Sequence, residues 1–178
     1  MAITSAVCNS FKQEILVAEH NFTFKTELLK GLHSFDTAGA TPAGNAFKIA
    51  LYSSGSANLG TTTTQWVVAS TPSADPTNTY EVTTTGSGYT SGGNALTNTG
   101  VGVSTVTSFT DFSDTSWTSA SFTARGCLIY NSTSVTGLTA NAAVCSIDFG
   151  GDKTVSSGTF TVQFPTNDSS SAIIRLTS

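Results

Sequence analysis

The stretch 115-TSWTSASFTARGCLIYN-131 decides the fold. It reads as a strand, with Arg125, Cys127 and Ile129 sharing one of its faces. Trp117 and Phe122 sit at odd and even positions, so an unbroken strand would send these two side chains to opposite faces. A bulge or corner near Ser119–Ser121 would let both face inward; the alternative is that one of them covers a subunit contact.

Outward from this stretch the same period of two recurs. In 46-AFKIALY-52, Phe47, Ile49 and Leu51 share one face and Lys48, Ala50 and Tyr52 the other. Further strand-like pieces are 65-QWVVAS-70, 79-TYEVTT-84, 95-ALTNTGVGVST-105, 142-AAVCSIDFG-150, 158-GTFTVQFP-165 and 172-AIIRLTS-178. Clusters rich in Gly, Asn, Ser and Pro separate them, among them 70-STPSADPTN-78, 86-GSGYTSGGN-94 and 150-GGDKTVSSG-158. Seven or eight short strands with such punctuation predict an all-β domain over 35–178, an antiparallel β-sandwich or jelly roll.

The first 34 residues read differently. In 10-SFKQEILVAEHNF-22, Phe11, Ile15, Ala18 and Phe22 fall at helical spacing, and Ser10 with Gln13 fits a capping box. The run 23-TFKTELLKGLH-33 repeats the pattern more weakly through Phe24, Leu28 and Leu32, ending at Gly31 and the loop 34-SFDTAGATPAGN-45. The expectation is a short N-terminal helical segment or attachment arm over 1–34. It lacks the basic face of a membrane-surface helix, so packing on the domain or on a neighbour is preferred.

Composition narrows the function. Charged residues are 10% of the 178, against about 25% in ordinary globular chains, while Ser and Thr approach a third. The net charge is −4 and the few Lys and Arg are scattered, so the basic stripe that neutralises phosphates is missing and nucleic acid is not an expected partner. No start resembling a signal peptide and no long apolar run is present, which predicts a chain made in the cytoplasm without a membrane partner. Cys8, Cys127 and Cys145 form no CxxC pair and read as small buried thiols.

A search for chemistry returns structural readings. The histidines, His20 and His33, lie in the N-terminal segment, away from any nucleophile elbow or zinc-ligand spacing. Asp111 and Asp114 in 111-DFSD-114 are turn formers whose carboxylates hold backbone N–H groups. Asp148 and Asp152 lack the remaining ligands of a calcium loop, and 86-GSGYTSGG-93 matches no phosphate-binding loop. The expectation is no catalytic residue, no cofactor, no metal and no enzyme. Arg125 shares a strand face with Cys127 and Ile129, and a guanidinium buried there needs a partner. Asp148, on a neighbouring strand, is the expected one, making Arg125–Asp148 a structural pair.

Several phrases taken together resemble a family of small virion structural proteins of tailed bacteriophages: 2-AITSAVCNSFKQEIL-16, 47-FKIALYSS-54, 88-GYTSGGNAL-96, 117-WTSASFTARGCLIYN-131, 145-CSIDFGGDKTVSSGTFTVQFP-165 and 172-AIIRL-176. The resemblance covers most of the chain and departs from the pattern around 23–43 and 66–80, where this sequence is longer. It implies a non-enzymatic virion protein made in the host bacterial cytoplasm. The first expectation is a capsid decoration or cement protein, a homotrimer on the capsid surface clamping the phage major capsid protein. The alternatives are a tail-fibre or head-fibre module that recognises a host glycan, or a tail or connector component. A glycan reader would expose Trp66, Tyr80 and Tyr89 for stacking on sugars, whereas core packing is the simpler reading of all three.

Overall fold

Two antiparallel sheets build the described part of the chain, which in this computed structural model comprises residues 3–9, 11, 35, 44–54, 59–67, 80–134 and 138–177. Eight strands are found among them: β1 (Ala6–Val7), β2 (Phe47–Tyr52), β3 (Asn94–Leu96), β4 (Asn98–Ser104), β5 (Thr107–Phe112), β6 (Thr115–Asn131), β7 (Ala143–Val162) and β8 (Ile174–Thr177). One sheet runs β1-β7-β6-β2-β3 and the other β4-β5-β8. The all-β expectation holds.

The centre of the five-stranded sheet is apolar on both faces. Ile49, Ala50, Leu51 and Tyr52 of β2 lie beside Ile129, Leu128, Cys127 and Gly126 of β6, and all eight are buried. Strand β7 completes the layer with Val144 and Cys145. A sheet covered on both sides loses the apolar–polar alternation and reads as a continuous apolar run, as 127-CLIY-130 does. Gly93 lets the next strand come close: its φ is +68°, and a Cβ there would collide with the carbonyl of Ile49.

Farther along, β6 and β7 form a long ribbon with an irregular register. Pairing shifts on both sides of Ala120, and Ser119 adopts a φ of 52°. Of the two readings of the Trp117–Phe122 parity, a bulge or a subunit contact, this is the bulge. Both side chains turn into the core, where Tyr89 and Phe160 pack against each of them. The contact they make is internal to the chain.

Three expectations on strand placement need correction. Residues 150–158 do not interrupt the chain between two strands; Gly150, with a φ of 73°, forms part of a bulge inside one 20-residue strand, β7. Residues 107–112 form the central strand of the small sheet, because the two-residue turn Thr105–Val106 folds β5 back on β4. The start of the proposed 1–34 arm is woven into the body: β1 pairs with β7, and Ile3, Cys8 and Phe11 are core residues. Burial of these three apolar side chains favours docking over projection. The helical patterns beyond Phe11, with His20 and His33, lie outside the described residues.

Candidate functional site

Arg125, Asp148, Asp111 and Asp114 are held by neighbours in the fold, whereas Asp152 is exposed on β7. Arg125 donates from Nε to Asp148 Oδ1 at 2.9 Å and from Nη2 to Oδ2 at 3.5 Å. The structure therefore brings the two together, with side chains 33% and 25% exposed, so solvent screens the pair in part. They meet where the register of β6 and β7 shifts: Gly126 pairs with Asp148 but Ala124 with Lys153. Asp148 Oδ1 also accepts the Gly150 amide, which closes the bulge. The Arg125 hydrogen bond, then that amide, hold the Asp148 carboxyl below its usual range.

Asp111 and Asp114 both accept backbone N–H groups, with longer reach than a local turn. Asp111 takes Phe112 N–H at 2.8 Å and Ile173 N–H at 3.1 Å, fastening the entry to β8. Asp114 takes Phe164 N–H at 2.8 Å. Burial raises the Asp111 carboxyl above its usual range, against the lowering effect of those amides. Cys8, Cys127 and Cys145 are free and buried. Burial pushes the Cys127 thiol up to about 12 and holds Cys145 well above its ordinary value, so both stay protonated.

The most connected polar group is one that the sequence did not reveal, Glu81. Its Oε1 accepts Tyr89 O–H at 2.7 Å and the Gly92 amide; Oε2 accepts Ser91 O–H at 3.2 Å and Trp66 Nε1–H at 3.3 Å. Around it, Trp66 stacks on Tyr130 with centroids 5.2 Å apart, Tyr130 O–H bonds Gly92 O at 2.8 Å, and Tyr89 Oη accepts Leu51 N–H at 3.0 Å. One carboxylate thus ties two loops to β2 and β6. Burial, and next the Glu81 charge, raise the Tyr89 and Tyr130 hydroxyls far above their ordinary range, so they remain donors. A faint signal existed: Glu81 is the sole acid between Asp75 and Asp111, and buried Trp and Tyr need a partner for their polar tips.

This cluster also settles where the aromatic candidates lie. Trp66 and Tyr89 are buried and Tyr80 packs half-buried against the core, so these three do not form an exposed stacking platform. Among the described residues, no group of three or more His, Cys, Asp or Glu could hold a metal ion, and no helix is long and apolar enough to cross a membrane.

Beside single exposed charges such as Asp152 and Lys153, two kinds of surface stand out among the described residues. The ribbon of β6 and β7 exposes hydroxyls: Ser116 with Thr161 and Thr123 with Thr154 bond across the strands at 2.8 Å, and Thr118, Ser121, Ser156 and Thr159 stand exposed beside them. The small sheet exposes aliphatic side chains. Comparison with family models, with curated proteins and with solved structures finds no match.

Proposed function

We propose that this chain is a non-enzymatic structural protein of a tailed-phage virion, a decoration protein that sits as a homotrimer on the head shell and clamps adjacent major capsid subunits. In this reading the two sheets form the β-sandwich or jelly-roll body that the strand pattern predicts. The observation that carries it is the hydroxyl rank along the β6–β7 ribbon. Its paired Ser and Thr groups offer neutral hydrogen bonds, each worth about 1 kcal/mol net, and such contacts gain strength when symmetry repeats them over a shell. Among the described residues, Arg125, Asp148, Asp111 and Glu81 are occupied in joining strands and loops, which supports a structural role. The phrases that resemble virion proteins support the same conclusion.

The test compares virions with and without the protein. Particles lacking it should lose resistance to heat or chelator while still adsorbing to cells, and density for the chain should cover the shell. Intact, heat-resistant particles that fail to adsorb would reject the decoration role in favour of a fibre module.

A further inference from the structure

Asp111 is the one acidic residue buried outright among the described residues, and it stands where β5 meets the entry to β8. Its Oδ1 accepts Phe112 N–H at 2.8 Å, a bond to the next residue of its own strand. Its Oδ2 accepts Ile173 N–H at 3.1 Å, from a segment 62 residues further on. That second bond fills a gap. Before Ile173, the turn at 168–172 closes on Asp168, whose Oδ1 accepts Ser170 and Ser171 N–H and whose backbone oxygen accepts Ala172 N–H. After it, β8 pairs with β5 from Ile174 to Thr177. The Asp111 carboxylate joins turn to strand. Since β8 is an edge strand of four residues, three of them exposed, its hold at this entry matters.

Each protonation state of the carboxyl gives something up. Ionised, it satisfies both amides but keeps a negative charge out of water with no cation to pair with it. The titratable groups that face it are Asp114, just beyond β5, and the Cys145 thiol of β7, neither of which supplies positive charge. Arg175 of β8 lies near Asp168 instead. Protonated, the carboxyl sheds its charge, but one oxygen turns from acceptor to donor. The bond given up is the longer one to Ile173, because the Phe112 bond is shorter and is fixed by the strand's own geometry. Burial favours the neutral form here more than the two amides favour the charged one. Relief of the charge thus outweighs the lost bond.

We propose that Asp111 is a pH-sensitive latch on β8: ionised, it fastens the entry to the strand through the Ile173 amide, and protonated, it lets that amide go. Neutral Asp111 adds to the stability of the whole chain while the start of β8 loosens. An acid that served only to stabilise the fold would not produce these two opposite responses.

Amide exchange and carboxyl carbon shifts, read by NMR on the isotope-labelled full chain, test this across the carboxylate range. As the Asp111 carboxyl takes up its proton, the protection factor of the Ile173 amide should fall about fivefold or more, the equilibrium weight of one hydrogen bond. Phe112 should keep its protection. Asp111→Asn carries no charge and offers one acceptor oxygen, so at neutral pH it should show the low Ile173 protection without any acid. This variant gives the answer if the chain unfolds before Asp111 is protonated. Asp114→Asn should keep the Ile173 step and move it to lower pH, because a neighbouring negative charge is gone. Ile173 protection that stays flat while the Asp111 carboxyl titrates would overturn the proposal. So would an Asp111→Asn chain in which Ile173 is as protected as in the parent, or a folded Asp114→Asn chain in which the step is lost.

Discussion

The five-stranded and three-stranded sheets differ in how completely their faces are covered. At the centre of the larger sheet, Ile49, Leu51, Leu128 and Ile129 are fully buried, and long-range polar contacts at Glu81 seal the loops over it. In the smaller sheet only the base, at Thr110, Phe112 and Ile174, is buried, and the rest of the same face meets solvent through Val101, Val103 and Leu176. Coverage sets stability in the first and leaves an aliphatic face in contact with solvent in the second. Core truncations in the large sheet should therefore cost far more folding stability than changes at the exposed outer end of the small sheet.

The largest effect expected from breaking this contrast is at Glu81. Glu81→Ala leaves Tyr89 O–H and Trp66 Nε1–H buried without their acceptor, and each orphaned group costs about 1 to 3 kcal/mol. Partial exposure of the carboxylate lets water recover some of that. A loss of about 2 to 3 kcal/mol in urea unfolding is expected, with Trp fluorescence shifted to the red as the Trp66–Tyr130 stack loosens. An unchanged urea midpoint would mean that the clamp contributes nothing to holding the loops.

The acids of the two sheets should respond to pH in opposite directions. Asp148 is held below its usual range, first by Arg125. Its contribution is complete above the ordinary carboxylate value and is lost as pH falls through its lower folded-state value. Asp111 is held above its usual range by burial. The folded chain then binds the proton more tightly than the unfolded one, so stability falls as pH rises from the ordinary carboxylate value to the raised one. Arg125→Ala should lower Tm modestly, since the pair is partly exposed, and should flatten the acid side of the profile. Asp111→Asn should remove the decline on the other side. Urea midpoints across the carboxylate range check both slopes, and a variant profile parallel to the parent's would remove that acid as the cause.

How much of this could be read in advance follows from the range of each interaction. β6 was legible to the residue because alternation and aromatics are local signals, and the Trp117–Phe122 parity narrowed the choice to a bulge or a subunit contact. The Arg125–Asp148 pairing was legible because a chain with so few charges offers few partners on adjacent strands. β5 was hidden because Asp111, a poor strand former, is stabilised there by the distant Ile173 amide. β7 read as two strands because Gly150 and Ser157, both at positive φ, signal turns but here shape bulges. Glu81 was not legible because its partners at 66, 89, 91 and 92 converge only in the fold.

The smallest expected effect sharpens the contrast from the other side, at the tip of the small sheet. Thr105 adopts a φ of 55° in the turn between β4 and β5, a conformation that costs an L-residue about 1 to 2 kcal/mol. Thr105→Gly removes that strain but gives the unfolded chain more freedom, worth about 0.5 to 1 kcal/mol. The net gain is about 0.5 kcal/mol, or roughly 1 to 2 °C in Tm for a chain of this size. Because the tip lies beyond the covered base, this gain should come without a change in the packing beneath the sheet. Calorimetry on the variant checks this: an unchanged or lowered Tm would mean that the turn holds Thr105 without strain.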